Sequence, residues 1–313
     1  MSEIRVGTCS WMDRSLVASG WYPKNARDAE DKLKFYSQHF NTVEVNSSFY
    51  SIPKEKSLYA WTLRTPPNFL FNIKAFGLFT FHAIASKALP PEVFGRNNAN
   101  QASKGKVKLF DLERTARSLL WDLFYHRIYV LQSMGRLGYL LFQFPPWFRY
   151  GDKALEYIRF LGRKSRPFKV AVEIRHRSWL EKGNKDLFLG MLEDENIAYV
   201  AVDEPKLVWT VPFEWPITAS WGTILRLHGR NNEGWMKKGA SVSERFAYIY
   251  NETELKALAA EVAKKVEQVP VVFAMFNNCF RDFAVKNALQ MKRYLGMEIE
   301  DALQIEQEGL PLD

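Results

Sequence analysis

The sequence predicts an α/β fold, a single (β/α)8 TIM-type barrel, and three observations point there. Strand-length runs rich in branched and aromatic residues alternate with helix-length amphipathic segments, the pattern of parallel strands joined by helical crossovers. Eight such runs can be counted, and 313 residues is the length of one barrel-sized domain. No glycine-rich phosphate turn follows the first run, which weighs against a doubly wound dinucleotide-binding sheet as the alternative.

Taken in order, Ile4–Thr8 is the first strand, and Asp31–Tyr36 belongs to the helix after it. Thr42–Asn46 is the second strand, Glu55–Arg64 the second helix and Phe69–Lys74 the third strand. Residues 84–112 break the rhythm with Pro90-Pro91, Gly95, Asn97-Asn98 and the basic patch Lys104-Gly105-Lys106-Val107-Lys108. Within one domain spanning 1–313, this stretch is expected to be an irregular basic insertion and a candidate lid, because long structureless loops in compact domains usually serve binding. The helix resumes with Leu119, Leu120, Leu123, Phe124, Ile128 and Leu131, spaced three and four apart as a buried stripe requires.

Gly138–Phe144 is the fourth strand, stopped by Pro145-Pro146. Phe168–Ile174 and Ala198–Asp203 are the fifth and sixth. A Trp- and Pro-rich connection from Val208 to Trp221 reads as loop rather than helix. Leu225-Arg226-Leu227-His228-Gly229-Arg230 is the seventh strand. Its alternation puts Arg226, His228 and Arg230 on one face. Asn251 with Glu254 three residues on forms a capping box before Leu255, Leu258 and Val262. Val271–Phe276 is the eighth strand, and Phe283–Tyr294 a closing helix ended by Gly296.

Composition narrows the function classes. With 47% hydrophobic residues the chain can bury a large core, yet no apolar run is long enough to span a membrane. Met1–Val6 has no signal-peptide layout, which predicts a cytoplasmic protein. Cys9 and Cys279, the two cysteines, cannot build a disulfide framework or a four-thiolate zinc site. They follow the first and eighth strands, which a closed barrel brings together; a thiol without a role is the plainer reading. The formal charge of +8 favours anionic partners.

Polar groups at the strand ends carry the functional reading, because a parallel barrel gathers those ends on one face, where active sites form. Glu44 and Asn46 end the second strand, Lys74 the third, Gln143 the fourth, and Glu173 with Arg175 the fifth. Asp203 ends the sixth, Arg226, His228 and Arg230 the seventh, and Asn277 with Asn278 the eighth. Three carboxylates facing several cations look like a site.

The same residues carry a resemblance. Val6-Gly7-Thr8-Cys9-Ser10-Trp11, Val43-Glu44-Val45-Asn46-Ser47-Ser48-Phe49-Tyr50, Thr65-Pro66, Gln143-Phe144-Pro145-Pro146, Val172-Glu173-Ile174-Arg175-His176 with Ser178-Trp179, Arg226-Leu227-His228-Gly229-Arg230 and Phe276-Asn277-Asn278 resemble the YecE-like family, domain of unknown function 72. The resemblance spans nearly the whole chain. It implies a barrel similar to those of xylose isomerase and endonuclease IV, and it brings no activity with it.

Three functions compete. The first is acid–base chemistry on, or binding of, a phosphate- or carboxylate-bearing small molecule. Arg175, Arg226, Arg230 and Lys74 would hold the anion, with Asn46, Gln143, Asn277 and Asn278 as further ligand contacts. Glu44 or Glu173 would act as base, Asp203 as a third carboxylate and His228 as proton carrier. The second is a metal-assisted hydrolase or isomerase using Glu44, Glu173, Asp203 and His228. Five histidines are few for a multi-zinc site, and nearby cations oppose a metal, so no metal or other cofactor is assigned. The third is nucleic-acid binding by the Lys104–Lys108 patch and loop aromatics Trp147, Trp179 and Trp235. The bland alternative is that Glu173 with Arg175, and Asp203 with Arg226, are ion pairs holding the mouth together.

Overall fold

A computed structural model describes residues 2–94 and 105–298. Eight parallel strands form a nearly closed barrel in the order β1-β10-β9-β8-β7-β6-β3-β2. They are β1 (Glu3–Thr8), β2 (Thr42–Val45), β3 (Leu70–Lys74), β6 (Leu137–Gln143), β7 (Val170–Glu173), β8 (Ala198–Asp203), β9 (Thr223–Leu227) and β10 (Val271–Phe276). All eight predicted strands are present and the open-sheet alternative falls away. Among the described residues no helix is long and apolar enough to cross a membrane.

Side chains stitch the seam between β1 and β2. Asn41 Oδ1 accepts from Val6 N at 3.1 Å and Asn41 Nδ2 donates to Ile4 O at 3.1 Å, while Tyr36 OH accepts from Thr8 N at 2.8 Å. Gly7 makes this approach feasible, since a Cβ there would sit 2.2 Å from Thr42 O.

Helices wrap the barrel where the periodicity places them. Asp28 caps Ala29–His39 by accepting from Glu30 N and Asp31 N, both at 2.8 Å. The capping box of Asn251 and Glu254 opens Glu252–Val266, which buries Leu255, Leu258 and Val262. Arg114–Ser133 buries Leu120, Phe124, Ile128 and Leu131 against the barrel. No helix follows β8. The connection instead buries Trp215, whose Nε1 donates to Thr223 Oγ1 at 2.7 Å.

The described parts of residues 84–112 are built into the fold. β4 (Ile84–Ala85) and β5 (Lys106–Val107) pair antiparallel, and Ile84, Leu89, Val93, Val107, Leu109 and Leu112 are buried. Two-residue strands are too short to show alternation in a sequence. Lys104 of the predicted patch, with Gly95 and Asn97-Asn98, lies outside the described residues.

Two expectations are corrected. The seventh strand stops at Leu227, not Arg230. Gly229 takes φ +84, and a Cβ there would meet Tyr248 Cβ at 2.6 Å, so the chain turns away and Arg230 leaves the face that Arg226 occupies. Trp179 is not an exposed loop aromatic. It is fully buried, its Nε1 donating to Phe148 O at 2.8 Å, whereas Trp147 is 67% exposed.

Candidate functional site

Strand alternation puts Arg226 of β9 inside the barrel, level with Val202 of β8 and Met275 of β10. It also points Glu44 of β2 and Glu173 of β7 inward, and all three side chains are wholly buried. Arg226 grips Glu44 with two donors, Nη2 to Oε1 at 2.6 Å and Nε to Oε2 at 3.1 Å. Its Nη1 donates to Glu173 Oε2, and Nη2 also reaches Cys9 Sγ at 3.6 Å. Four of the five guanidinium N–H groups are thereby spent.

Glu173 is equally saturated. Its Oε1 accepts from Gln143 Nε2 at 2.6 Å, His228 Nε2 at 3.1 Å and Arg175 Nη1 at 3.4 Å. Burial alone would raise its pKa, but Arg226, His228 and Arg175 hold it well below the usual carboxylate range. Burial pushes His228 down to about 3, against the pull of Glu173. The imidazole is therefore neutral near pH 7, with Nε2–H donating to Glu173 and Nδ1 accepting from Asn277 Nδ2 at 2.9 Å. Both ring nitrogens are occupied, so His228 orients Glu173 and has no open position from which to carry a proton.

The structure brings Glu44, Asn46, Lys74, Gln143, Glu173, Arg175, Arg226, His228 and Asn277 to this end of the barrel. Asn46 Nδ2 donates to Cys9 O at 2.8 Å, while its buried Oδ1 has no partner. Three of the expected residues turn aside. Asp203 does not pair with Arg226; it receives Arg230 through Nη2 at 2.7 Å and Nε at 2.9 Å, and Tyr250 OH at 2.8 Å. Arg230 also donates to Glu254 Oε1 at 2.9 Å, so the capping-box carboxylate of the next helix anchors this second cluster. Asn278 faces the closing helix, donating to Asn287 Oδ1 at 3.0 Å and Tyr248 O at 2.9 Å.

Two groups behave differently. Lys74 ends β3 with its ammonium 4.6 Å from the centre of the Phe49 ring, and no carboxylate partners it among the described residues. Burial, then repulsion by Arg226, lowers its pKa to about 8, with Glu44 and Glu173 only partly offsetting this. Glu204 escaped the sequence reading because Asp203 beside it seemed the strand-ending acid. Consecutive residues point opposite ways, and it is Glu204 that turns toward Arg175, whose Nε lies 3.1 Å from Glu204 Oε2 in a geometry that makes no hydrogen bond. Burial raises Glu204 to about 7, with Glu173 and Asp203 adding to the effect and Arg175 opposing it. Trp235 covers Arg175 at 4.7 Å. Tyr139, whose OH donates to Glu44 Oε2 at 3.4 Å, was likewise unmarked, being an apolar-looking member of a buried run.

Among the described residues no three of His, Cys, Asp and Glu are disposed to hold a metal ion. Cys9 and Cys279 are both free thiols. Burial drives both thiol pKa values upward, the opposite of what a reactive thiolate needs.

With this geometry in hand, the relatives are informative. A family model described as a protein of unknown function, DUF72, matches residues 5–311. The chain belongs to this family. As a DUF72 protein it is similar to UPF0759 protein YunF of Bacillus subtilis (strain 168), 29% identical over 299 residues, with 94% of this chain and 95% of that one covered. A solved DUF72 family protein from Thermotoga maritima MSB8 superposes with a TM-score of 0.73 at 29% identity, covering 94% of this chain and 99% of that one. Another from Enterococcus faecalis V583 gives 0.76 at 24% identity, covering 96% and 98%, and speaks for the fold alone.

Proposed function

We propose that this DUF72 barrel receives a small phosphate- or carboxylate-bearing molecule at the C-terminal mouth and transfers a proton on it. One observation carries the reading. Arg226, Arg230 and Arg175 all face carboxylates, whereas Lys74 at the mouth faces none, so it is the cation that an incoming anion would meet. Anion binding would relieve both the desolvation of the ammonium and its repulsion by Arg226.

Glu204 is the proton-transfer group in this reading, because a carboxyl titrating near the working pH can both give and take a proton. Arg175 between Glu173 and Glu204 sets its position. Glu44, Glu173, Arg226 and His228 then act as positioning residues below the reacting molecule, and Arg230 with Asp203 braces the loop beside it. Asn46, Gln143 and Asn277 line the approach with amides.

Calorimetric titration with inorganic phosphate tests the anion site. The wild-type protein should bind it, and Lys74→Met should weaken binding by about tenfold or more, the scale of one charge-assisted contact. Equal affinity in the two proteins overturns the reading. Catalysis is tested by screening phosphorylated and carboxylated metabolites: a turnover whose pH profile has a limb near 7 that Glu204→Gln abolishes supports the proton role.

A further inference from the structure

A second recess adjoins the mouth and is not used by the acid–base groups. It is an open recess of about 520 Å³ whose walls include Phe49, Phe81, His82, Trp147, Lys106 and Lys108. That volume is within the range of small-molecule sites. The walls are aromatic: His82 stands edge-on to Phe49 at 4.9 Å and to Trp147 at 5.8 Å. Trp147 leaves 67% of its surface open, a high exposure for an indole. Lys106 and Lys108 are exposed at the rim and pair with no carboxylate among the described residues.

The backbone is also committed to this arrangement. Phe81 adopts φ 62 and ψ 14, a left-handed conformation that is strained for a bulky L-residue and persists only where the surroundings enforce it. Its ring is held by Tyr157 at 4.5 Å and Phe148 at 5.5 Å, and the turn delivers His82 to the recess. Thr80 Oγ1 lies 2.9 Å from His82 Nδ1 and fixes the ring. Burial and the charges of Lys74 and Arg175 lower His82 to about 4, so the ring is a neutral flat wall, and its Nε2 makes no hydrogen bond among the described residues.

We infer that this recess binds the aromatic ring of the anionic ligand, stacking it against Trp147 beside Phe49 and His82, with Lys106 and Lys108 receiving an acidic group at the rim. The inference rests on the reading of Lys74 as the anion contact, because Phe49 is shared: one face of its ring carries the Lys74 ammonium, and the ring also walls the recess. The ligand class is thus a small aromatic acid or aromatic phosphate, such as a nucleoside monophosphate, rather than an aliphatic one.

Calorimetry with adenosine 5′-monophosphate and ribose 5-phosphate, in the wild type, Trp147→Ala, Lys106→Gln/Lys108→Gln and Lys74→Met, separates the parts. The ring-bearing compound should bind about tenfold or more tightly than the ring-less one, an advantage erased in Trp147→Ala, with thermal melting checking that this variant, which alters a mostly exposed side chain, is folded. The double lysine variant should weaken both compounds. If the two bind alike, or Trp147→Ala changes nothing, the recess assignment is overturned; should Lys74→Met still weaken both, the mouth reading survives that failure. If Lys74→Met has no effect while the ring preference persists, the mouth reading fails instead. Tighter binding of a single-stranded oligonucleotide than of the mononucleotide, with a steep salt dependence, overturns the small-molecule assignment.

Discussion

Two charged regions meet at the barrel mouth and differ in how their charges are answered. Around Arg226 every charge has an opposite: two carboxylates grip one guanidinium, and Gln143, His228 and Arg175 fill the remaining positions on Glu173. Around Lys74 no carboxylate pairs directly among the described residues: the ammonium lies over the face of Phe49, and Glu44 and Glu173 only partly offset its burial and the repulsion of Arg226. A saturated buried cluster has little left with which to recognise a ligand, since anything it accepted would have to displace an existing bond. An ammonium lacking a counter-ion is the opposite case, because an anion gains by arriving. Density of charge is thus a poor guide to a binding site, and unsatisfied charge a better one.

The largest effect should come from the saturated side. Arg226→Leu strands Glu44 and Glu173 without their cation and should cost about 3–5 kcal/mol in urea denaturation, largely restored when Glu44→Gln and Glu173→Gln are added. A loss below about 1 kcal/mol would mean that water reaches the cluster. Glu204 tests the border between the regions. In the native protein it keeps its proton to about pH 7, whereas in the unfolded chain it titrates near its ordinary value of 4.5. A raised folded pKa stabilises fully below the unfolded pKa, and that stability fades as pH rises through the folded one. Between pH 4.5 and pH 8 the wild type should therefore lose about 3 kcal/mol relative to Glu204→Gln. Parallel stability curves for the two proteins would remove Glu204 as a group titrating near neutrality.

A smaller effect is expected at Lys74. Lys74→Met removes a desolvated charge that Glu44 and Glu173 only partly offset, so it should raise stability by about 1 kcal/mol at pH 7 while weakening anion binding. A destabilised Lys74→Met would show that the ammonium has a structural partner after all, and the contrast with Arg226 would collapse.

Much of the fold was legible in the chain. All eight barrel strands, the capping box at Asn251 and the helix-free connection after β8 follow from local periodicity and turn chemistry. Leu225-Arg226-Leu227 correctly places Arg226 opposite its neighbours, yet the alternation misleads two residues later, where Gly229 turns left-handed. Glu204 was hidden for a related reason: at the end of a strand, a doublet of acids gives no sign of which one faces the mouth.

Pairing was the illegible part. Arg226 and Glu44 are 182 positions apart and Arg226 and Glu173 are 53 apart. The strand ends named the participants, and the sequence offered Asp203 as a partner for Arg226 as readily as Glu44. Periodicity, side-chain chemistry and strand count by themselves determined eight parallel strands with acids, amides and cations at one end, and favoured their closing into a barrel. Only the tertiary structure decided which of these cations are neutralised and that Lys74 has no paired carboxylate among the described residues. Coulomb energy and desolvation depend on separations and burial that arise when strands far apart in the chain close on one another.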